Sequence, residues 1–115
     1  NIRVCLFVDP EVGQIKKANE FGADMVEIHT GAFCDASSGT QKEHEFLRIT
    51  NAVSLADKLK MGVNAGHGIC YNTIKSFKGL SQINEFSIGH SIVSLSILTG
   101  MYQAVRDMKK LVEVI

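Results

Sequence analysis

Four short apolar runs, each followed by a longer stretch with helical periodicity, constrain this chain more than any other feature of its sequence. The runs cover residues 3–8, 25–29, 61–65 and 86–88. Continuous apolar runs of this length suit strands that are buried on both faces, as in a parallel sheet. The alternation therefore predicts an α/β fold with four βα units in a row.

The stretches between these runs carry the signals expected of helices. Asp9 and Pro10 predict an N-cap followed by proline at the first helical position, and Gly22 predicts the end of that helix. After a polar loop at 30–40, helices are predicted over 41–60, from residue 72 or 73, and over 91–98. A last helix is predicted from residue 101 to the end. Its apolar face consists of Met101, Ala104, Val105, Met108, Leu111 and Val112.

Four βα units are half of the eight that close a (β/α)8 barrel, also called a TIM barrel. An isolated four-stranded parallel sheet would expose its edges and one face, which natural proteins usually cover. The sequence also opens directly on a predicted strand and has no initiator methionine. We therefore expect residues 1–115 to be half of a single barrel domain, with the preceding half absent. The apolar face of the last helix would pack against the barrel or a partner subunit.

Charge and cysteine content argue against several function classes. The 12 basic and 12 acidic residues leave no formal net charge, so binding to nucleic acid or to an anionic membrane is not expected. No apolar run approaches the roughly 18 residues that a membrane span needs. Cys5, Cys34 and Cys70 have no paired spacing and match neither a disulfide framework nor a zinc motif. We expect a reduced, cytoplasmic setting with thiols that are buried or incidental.

Polar side chains cluster where the predicted strands end, which is where barrels of this kind hold their active sites. Glu27 and His29 end the second strand, while His67 and His90 follow the third and fourth. An unpaired buried carboxylate is costly, so Glu27 should face the barrel mouth or form a structural ion pair. Strand alternation places His29 on the same face. We expect His29 to be structural, either orienting Glu27 or hydrogen bonding in the core.

Two histidines beside glycines are candidates for proton transfer and phosphate binding. In Gly66-His67-Gly68 the glycines would let the backbone approach a ligand, and the histidine can exchange protons near neutral pH. The alternative is a tight turn with a surface histidine. Gly89-His90 runs directly into a predicted helix, whose free N–H groups suit a phosphate, as in the loops after strands seven and eight of many barrels. The alternative there is simple helix capping.

At these residues the chain resembles the pyridoxine 5'-phosphate synthase family. The matching strings are VEIHTG at 26–31, VNAGHG at 63–68, IGHSIV at 88–93 and TG at 99–100. Their order and spacing agree with the family over essentially all 115 residues. The resemblance implies a (β/α)8-barrel enzyme of vitamin B6 biosynthesis, of which this chain is the C-terminal half. Such an enzyme condenses 3-amino-2-oxopropyl phosphate with 1-deoxy-D-xylulose 5-phosphate. The products are pyridoxine 5'-phosphate, inorganic phosphate and water.

The resemblance also implies roles for individual residues. His67 matches the family's proton donor, and Glu27 matches the carboxylate that stabilises the transition state. Gly68, Gly89 and His90 match positions that bind substrate or product, chiefly around a phosphate group. No metal or organic cofactor is implied, and the family forms homo-oligomers, commonly octamers, in the cytoplasm.

The chain departs from the family pattern in two ways. Family members usually have a basic residue near Ser94 and Leu95, both of which are uncharged here. The family's N-terminal half supplies further acid–base residues, an arginine set and much of the pocket, so we expect these 115 residues alone to be inactive. Two other interpretations stay open: another barrel enzyme acting on sugar phosphates, and a non-catalytic half-barrel that binds phosphate.

Overall fold

A computed structural model describes residues 2–115 of the chain. Its strands are β1 (Cys5–Val8), β2 (Met25–His29), β3 (Gly62–Gly66) and β4 (Ile83–Ser87). Its α-helices are α1 (Val12–Glu20), α2 (Gly31–Cys34), α3 (Gly39–Lys58), α4 (His90–Thr99) and α5 (Met101–Val112), and a 3-10 helix covers Thr73–Phe77. No helix within this described part is long and apolar enough to cross a membrane.

The strands form one parallel sheet in the order β1-β2-β3-β4. One row across the sheet pairs Phe7 with Glu27, then Glu27 with Asn64, then Asn64 with Glu85. Because all four strands run in the same direction, their carboxyl ends meet at one edge of the sheet. The predicted α/β class, with consecutive parallel strands alternating with helical segments, is confirmed.

The hydrophobic core lies between one face of this sheet and the helices that pack on it. Val26 and Ile28 of β2 are fully buried there, together with Ile49 and Val53 of α3. Each such side chain contributes about 1.5–3 kcal/mol relative to an exposed one. Strand alternation turns Glu27 to the opposite face, which the helices do not cover.

β1 differs from the prediction in both its extent and its burial. The strand begins at Cys5 rather than at residue 3, and residue 1 lies outside the described part of the chain. Its side chains alternate between exposed and half-buried, and Phe7 is 58% exposed. Within residues 2–115, β1 pairs only with β2 and has helices on one face alone, so the expected burial on both faces is not found in the described part of the chain.

The start of α1 also differs from the prediction. Glu11 occupies the N-cap position, without a capping hydrogen bond from its side chain, and the helix begins at Val12. Asp9 lies too far upstream to cap it. Instead, its carboxylate accepts a hydrogen bond of 3.2 Å from the Gln14 side chain, whose oxygen accepts one of 2.8 Å from the Asp9 N–H. The capping role predicted for Asp9 is therefore wrong.

The segments after β2 and β3 are organised differently from the prediction as well. The expected polar loop at 30–40 contains α2 and the first residues of α3. Ser38 caps α3 by accepting a hydrogen bond of 3.2 Å from the N–H of Gln41. After β3 the chain forms a 3-10 helix rather than an α-helix, and Ile74 and Phe77 anchor it in the core. The burial of these two side chains holds the segment against the core, and short 3-10 helices are common as connections between longer elements.

The two C-terminal helices lie close to their predicted ranges and are separated by Gly100, whose φ is +83°. On α5, Ala104 and Met108 are buried, as the predicted apolar face requires. Met101 and Val105 on that helix remain 51% and 45% exposed. The face therefore packs only partly against the rest of the described chain.

Candidate functional site

An open cleft of about 720 Å³ lies at the carboxyl ends of the strands. Five segments of the chain meet there: β1, β2, the end of α2, the loop after β3, and the junction between β4 and α4. All five residues predicted to carry function line it, namely Glu27, His67, Gly68, Gly89 and His90. The remaining lining residues are Phe7, Asp35, Ile69, Cys70, Ser87, Ile88 and Ser91.

Glu27 reaches from β2 across β3 to β4. Its Oε2 accepts a hydrogen bond of 2.9 Å from the Ser87 hydroxyl. The side chain passes over Gly66, since a Cβ on that glycine would lie 2.2 Å from Oε1 of Glu27. Glu27 takes part in none of the ion pairs found in the described part of the chain, residues 2–115. Within that range the structural alternative of an ion pair is not found, and the carboxylate faces the cleft.

His67 sits in a constrained turn after β3. Its φ of +77° lies in the left-handed region, which non-glycine residues rarely adopt. Buried Thr30 holds this turn, because its hydroxyl lies 2.9 Å from the carbonyl oxygen of Gly66 and 2.6 Å from that of His67. Backbone strain of this kind costs on the order of 1–3 kcal/mol and is concentrated at functional sites. The turn is tight, as the alternative interpretation predicts, and its histidine also lines the cleft.

The glycines around His67 permit close packing that a side chain would prevent. Gly68 has a φ of +77°, and a Cβ on it would lie 2.9 Å from Cβ of Cys34. Gly31 lies beneath two imidazoles, because a Cβ there would be 3.0 Å from Nε2 of His29 and 3.1 Å from Cδ2 of His67. The first turn of α2 can therefore approach the loop after β3 directly.

His29 packs against His67 rather than against Glu27. The two imidazole centroids are 4.8 Å apart, and the ring planes are tilted by 50°. The Phe7 ring approaches His29 edge-on, with centroids 5.2 Å apart. On the other side, Nδ1 of His29 lies 3.3 Å from Oδ1 of Asp9. His29 is thus held between Asp9 and His67, and the expectation that it orients Glu27 is not met by any contact in the described chain.

The amino end of α4 forms one wall of the cleft. Gly89 is its N-cap and His90 its first residue, and a Cβ on Gly89 would meet nothing within 4 Å. The hydroxyl of Ser91 donates a hydrogen bond of 2.8 Å to the carbonyl oxygen of Ile69, which ties this helix start to the loop after β3. The first N–H groups of a helix lack partners within it and carry partial positive charge, so the site suits an anion such as phosphate. For cations, no cluster of three or more His, Cys, Asp or Glu side chains that could hold a metal ion is present in residues 2–115.

Seven residues that line the cleft were not predicted as site residues, and two of them, Ser87 and Cys70, carry groups that bear on its chemistry. Ser87 could have been found within the predicted run at 86–88, since strand alternation places it on the side of the sheet opposite Phe86. Cys70 was expected to be incidental, yet it lines the cleft. Partial burial raises the pKa of the Cys70 thiol, but hydrogen bonds from Thr73 and from the backbone outweigh this effect, and the pKa lies below its ordinary value. Only the folded loop brings Thr73 and Cys70 into this contact.

The fold and the cleft together define a class of protein: an α/β protein with parallel strands and a polar site at the strands' carboxyl ends. Comparison with known proteins then gives the family. A family model described as pyridoxal phosphate biosynthesis protein PdxJ matches residues 1–114, and the chain belongs to this family.

Several curated relatives with similar sequences are named pyridoxine 5'-phosphate synthase. The one from Desulforapulum autotrophicum is 60% identical over 111 residues, which cover 96% of this chain and 46% of the relative. The one from a Geobacter species is 55% identical with the same coverage of both chains. The chain thus spans about half the length of the curated relatives it matches. The family resemblance predicted from the motifs at 26–31, 63–68 and 88–93 is confirmed.

Proposed function

We propose that residues 1–115 form the C-terminal half of a (β/α)8 barrel and that the complete protein is a pyridoxine 5'-phosphate synthase. It condenses 3-amino-2-oxopropyl phosphate with 1-deoxy-D-xylulose 5-phosphate to give pyridoxine 5'-phosphate, inorganic phosphate and water. The observation that carries this proposal is the convergence of Glu27, His67 and the amino end of α4 on one cleft. The names of the relatives support the product, and the two substrates follow from the family resemblance of the motifs at 26–31, 63–68 and 88–93.

In this proposal Glu27 and His67 carry the proton and charge chemistry. Joining an amine to a ketone proceeds through an imine and loses water, so protons must be given and taken at positioned groups. His67 is the proton donor, because an imidazole exposed to the cleft can transfer protons near neutral pH. Glu27 stabilises the positive charge that develops on the condensing nitrogen, because its carboxylate faces the cleft and is already oriented.

The glycines and His90 bind the phosphate groups. The N–H groups in the first turn of α4, together with Gly89 and His90, hold a phosphate at the wall of the cleft. Gly68 contributes a backbone that a ligand can approach closely, because it has no side chain. Holding both phosphorylated substrates in fixed positions converts a bimolecular condensation into a reaction between neighbouring groups.

The proposal extends to the setting of the complete protein. It uses no metal or organic cofactor, works in the cytoplasm and assembles as a homo-oligomer, commonly an octamer in this family. Ile97, Leu98 and Tyr102 on α4 and α5 are 82%, 86% and 79% exposed, and such an apolar surface is suited to burial against another subunit or the other half of the barrel. Light scattering on the complete protein should give eight times the subunit mass, whereas a monomer would contradict the assembly.

The activity is tested by incubating the complete protein with both substrates and measuring pyridoxine 5'-phosphate. His67→Ala and Glu27→Gln should each lower kcat about 100-fold or more, the usual range for loss of an acid–base group. His44→Ala is a matched control, because His44 is exposed on α3, away from the cleft. Unchanged turnover in both cleft variants would reject the assignment of these residues.

The same assay separates the other interpretations. Turnover of an unrelated sugar phosphate, with none of the two named substrates, would favour a different barrel enzyme. Phosphate binding without turnover would favour a non-catalytic protein. The isolated 115-residue chain should be inactive under these conditions, since it contributes only one side of the proposed barrel, and product formation by it would contradict the half-barrel proposal.

A further inference from the structure

We propose that Ser87 is a positioning residue whose hydroxyl holds the Glu27 carboxylate in its cleft-facing orientation. This inference rests on the catalytic role proposed above for Glu27. It assigns the orientation of Glu27 to a residue on a different strand, β4, which lies outside the motifs at 26–31, 63–68 and 88–93. The hydrogen bond from Oγ of Ser87 to Oε2 of Glu27 is 2.9 Å long, within the normal range for a hydroxyl donor.

The register of the sheet explains how this hydrogen bond orients the Glu27 side chain toward the cleft. Glu27 pairs with Asn64 on β3, but Ser87 belongs to the next row, where it pairs with Gly66. To reach Ser87, the Glu27 side chain must therefore lean toward the carboxyl ends of the strands, where the cleft lies. Gly66 provides the space for this lean, because any Cβ there would occupy the position of the carboxylate.

The row to which Glu27 belongs offers no comparable partner. Asn64 has its amide nitrogen 3.4 Å from Oε2 of Glu85, so this donor is directed toward β4. Glu85 itself carries the same charge as Glu27 and would repel it. Among residues 2–115, Ser87 is the side chain found to donate a hydrogen bond to Glu27. A hydroxyl that donates to a carboxylate forms a charge-assisted bond, which is stronger than a bond between neutral groups.

The test uses three variants of the complete protein, with kcat and KM measured separately. Ser87→Ala should lower kcat about 10- to 100-fold, the range for a lost hydrogen bond to a charged group, with KM changed about twofold at most. Ser87→Thr keeps the hydroxyl and should retain kcat within about twofold. Ser54→Ala, at an exposed position on α3, controls for the loss of a serine hydroxyl elsewhere. A wild-type kcat in Ser87→Ala, or a raised KM with unchanged kcat, would overturn the positioning role.

Crystal structures of the wild-type protein and of Ser87→Ala distinguish a failure of this inference from a failure of the proposed function. The expected result is a Glu27 carboxylate that faces the cleft in the wild type and turns away, or occupies several orientations, in the variant. An unchanged carboxylate in Ser87→Ala would overturn the inference even if the enzyme is active. If the wild type forms no product, the proposed function falls, and the orientation of Glu27 still decides whether Ser87 positions it.

Discussion

A Cβ on Gly66 would lie 2.2 Å from Oε1 of Glu27, so the absence of a side chain at residue 66 is part of what places this carboxylate. The same Cβ would also lie 2.9 Å from Cβ of Ser87. The contact between Glu27 and Ser87 therefore requires glycine on the strand between them.

Gly66→Ala should accordingly displace Glu27 and lower kcat of the complete protein about tenfold or more, an effect comparable to loss of a hydrogen bond to a charged group. Steady-state kinetics measure this change. Gly13→Ala is the matched control, because a Cβ there meets nothing within 4 Å on α1. That control should keep wild-type activity and gain about 0.4–1 kcal/mol in the free energy of unfolding. A wild-type kcat in Gly66→Ala would contradict the role assigned to the glycine.

The strain at His67 should be visible in the stability of two variants that both lack the imidazole. His67→Gly relieves the left-handed backbone conformation, whereas His67→Ala retains it. We expect the glycine variant to unfold with a free energy about 1 kcal/mol higher than that of the alanine variant. Denaturant unfolding of the complete protein measures the difference. Equal stability of the two variants would mean that the turn relaxes when the imidazole is removed.

Gly68 and Gly79 share a positive φ but differ in their surroundings, which makes them a matched pair. Their φ values are +77° and +91°, and only at Gly68 would a Cβ meet another residue, Cys34, at 2.9 Å. Alanine at either position should cost about 1 kcal/mol from backbone strain. Gly68→Ala should cost a further 1–3 kcal/mol or so from overpacking. Thermal unfolding distinguishes the two variants, and similar melting temperatures would show that α2 can move away from the loop.

Cys70 should react with alkylating reagents at lower pH than Cys34. Hydrogen bonds from Thr73 and the backbone outweigh partial burial and lower the pKa of the Cys70 thiol from its ordinary value, while burial raises the pKa of the Cys34 thiol. Because the thiolate is the reactive form, alkylation of Cys70 should reach half its maximal rate at a lower pH than alkylation of Cys34, and the opposite order would contradict this prediction.

Iodoacetamide labelling followed by peptide mass spectrometry gives the rate at each cysteine as a function of pH. Thr73→Val removes the hydroxyl that lies 3.5 Å from Sγ of Cys70, so the half-maximal pH of Cys70 should rise. Thr73→Ser keeps the hydroxyl and serves as the control. A Cys70 profile unchanged by Thr73→Val would show that the hydroxyl is not needed and that the backbone hydrogen bonds and the charge of Lys42 lower the pKa of Cys70.

Predictions from the sequence were most accurate where a local signal fully specifies the structure. β2 spans Met25–His29 as predicted, because this short run is bounded by the polar residues Asp24 and Thr30. Gly22, with a φ of +75°, follows the end of α1 as expected of a C-terminal glycine. The capping role of Asp9 was wrong because its carboxylate interacts with Gln14 and His29 instead. The prediction of an α-helix after β3 was wrong because core packing, rather than helical periodicity, determines the conformation of that segment.

The sequence by itself determined the alternation of strands and helices, the family, and the residue types at the carboxyl ends of the strands. These follow from local periodicity and from motifs that can be read in order along the chain. Only the tertiary structure decided that Glu27 meets Ser87 across Gly66, and that Asp9, His29 and His67 lie side by side. Such contacts depend on the register between strands and on the spacing of the packed loops. Both are set by interactions between residues far apart in the chain, which local sequence patterns do not specify.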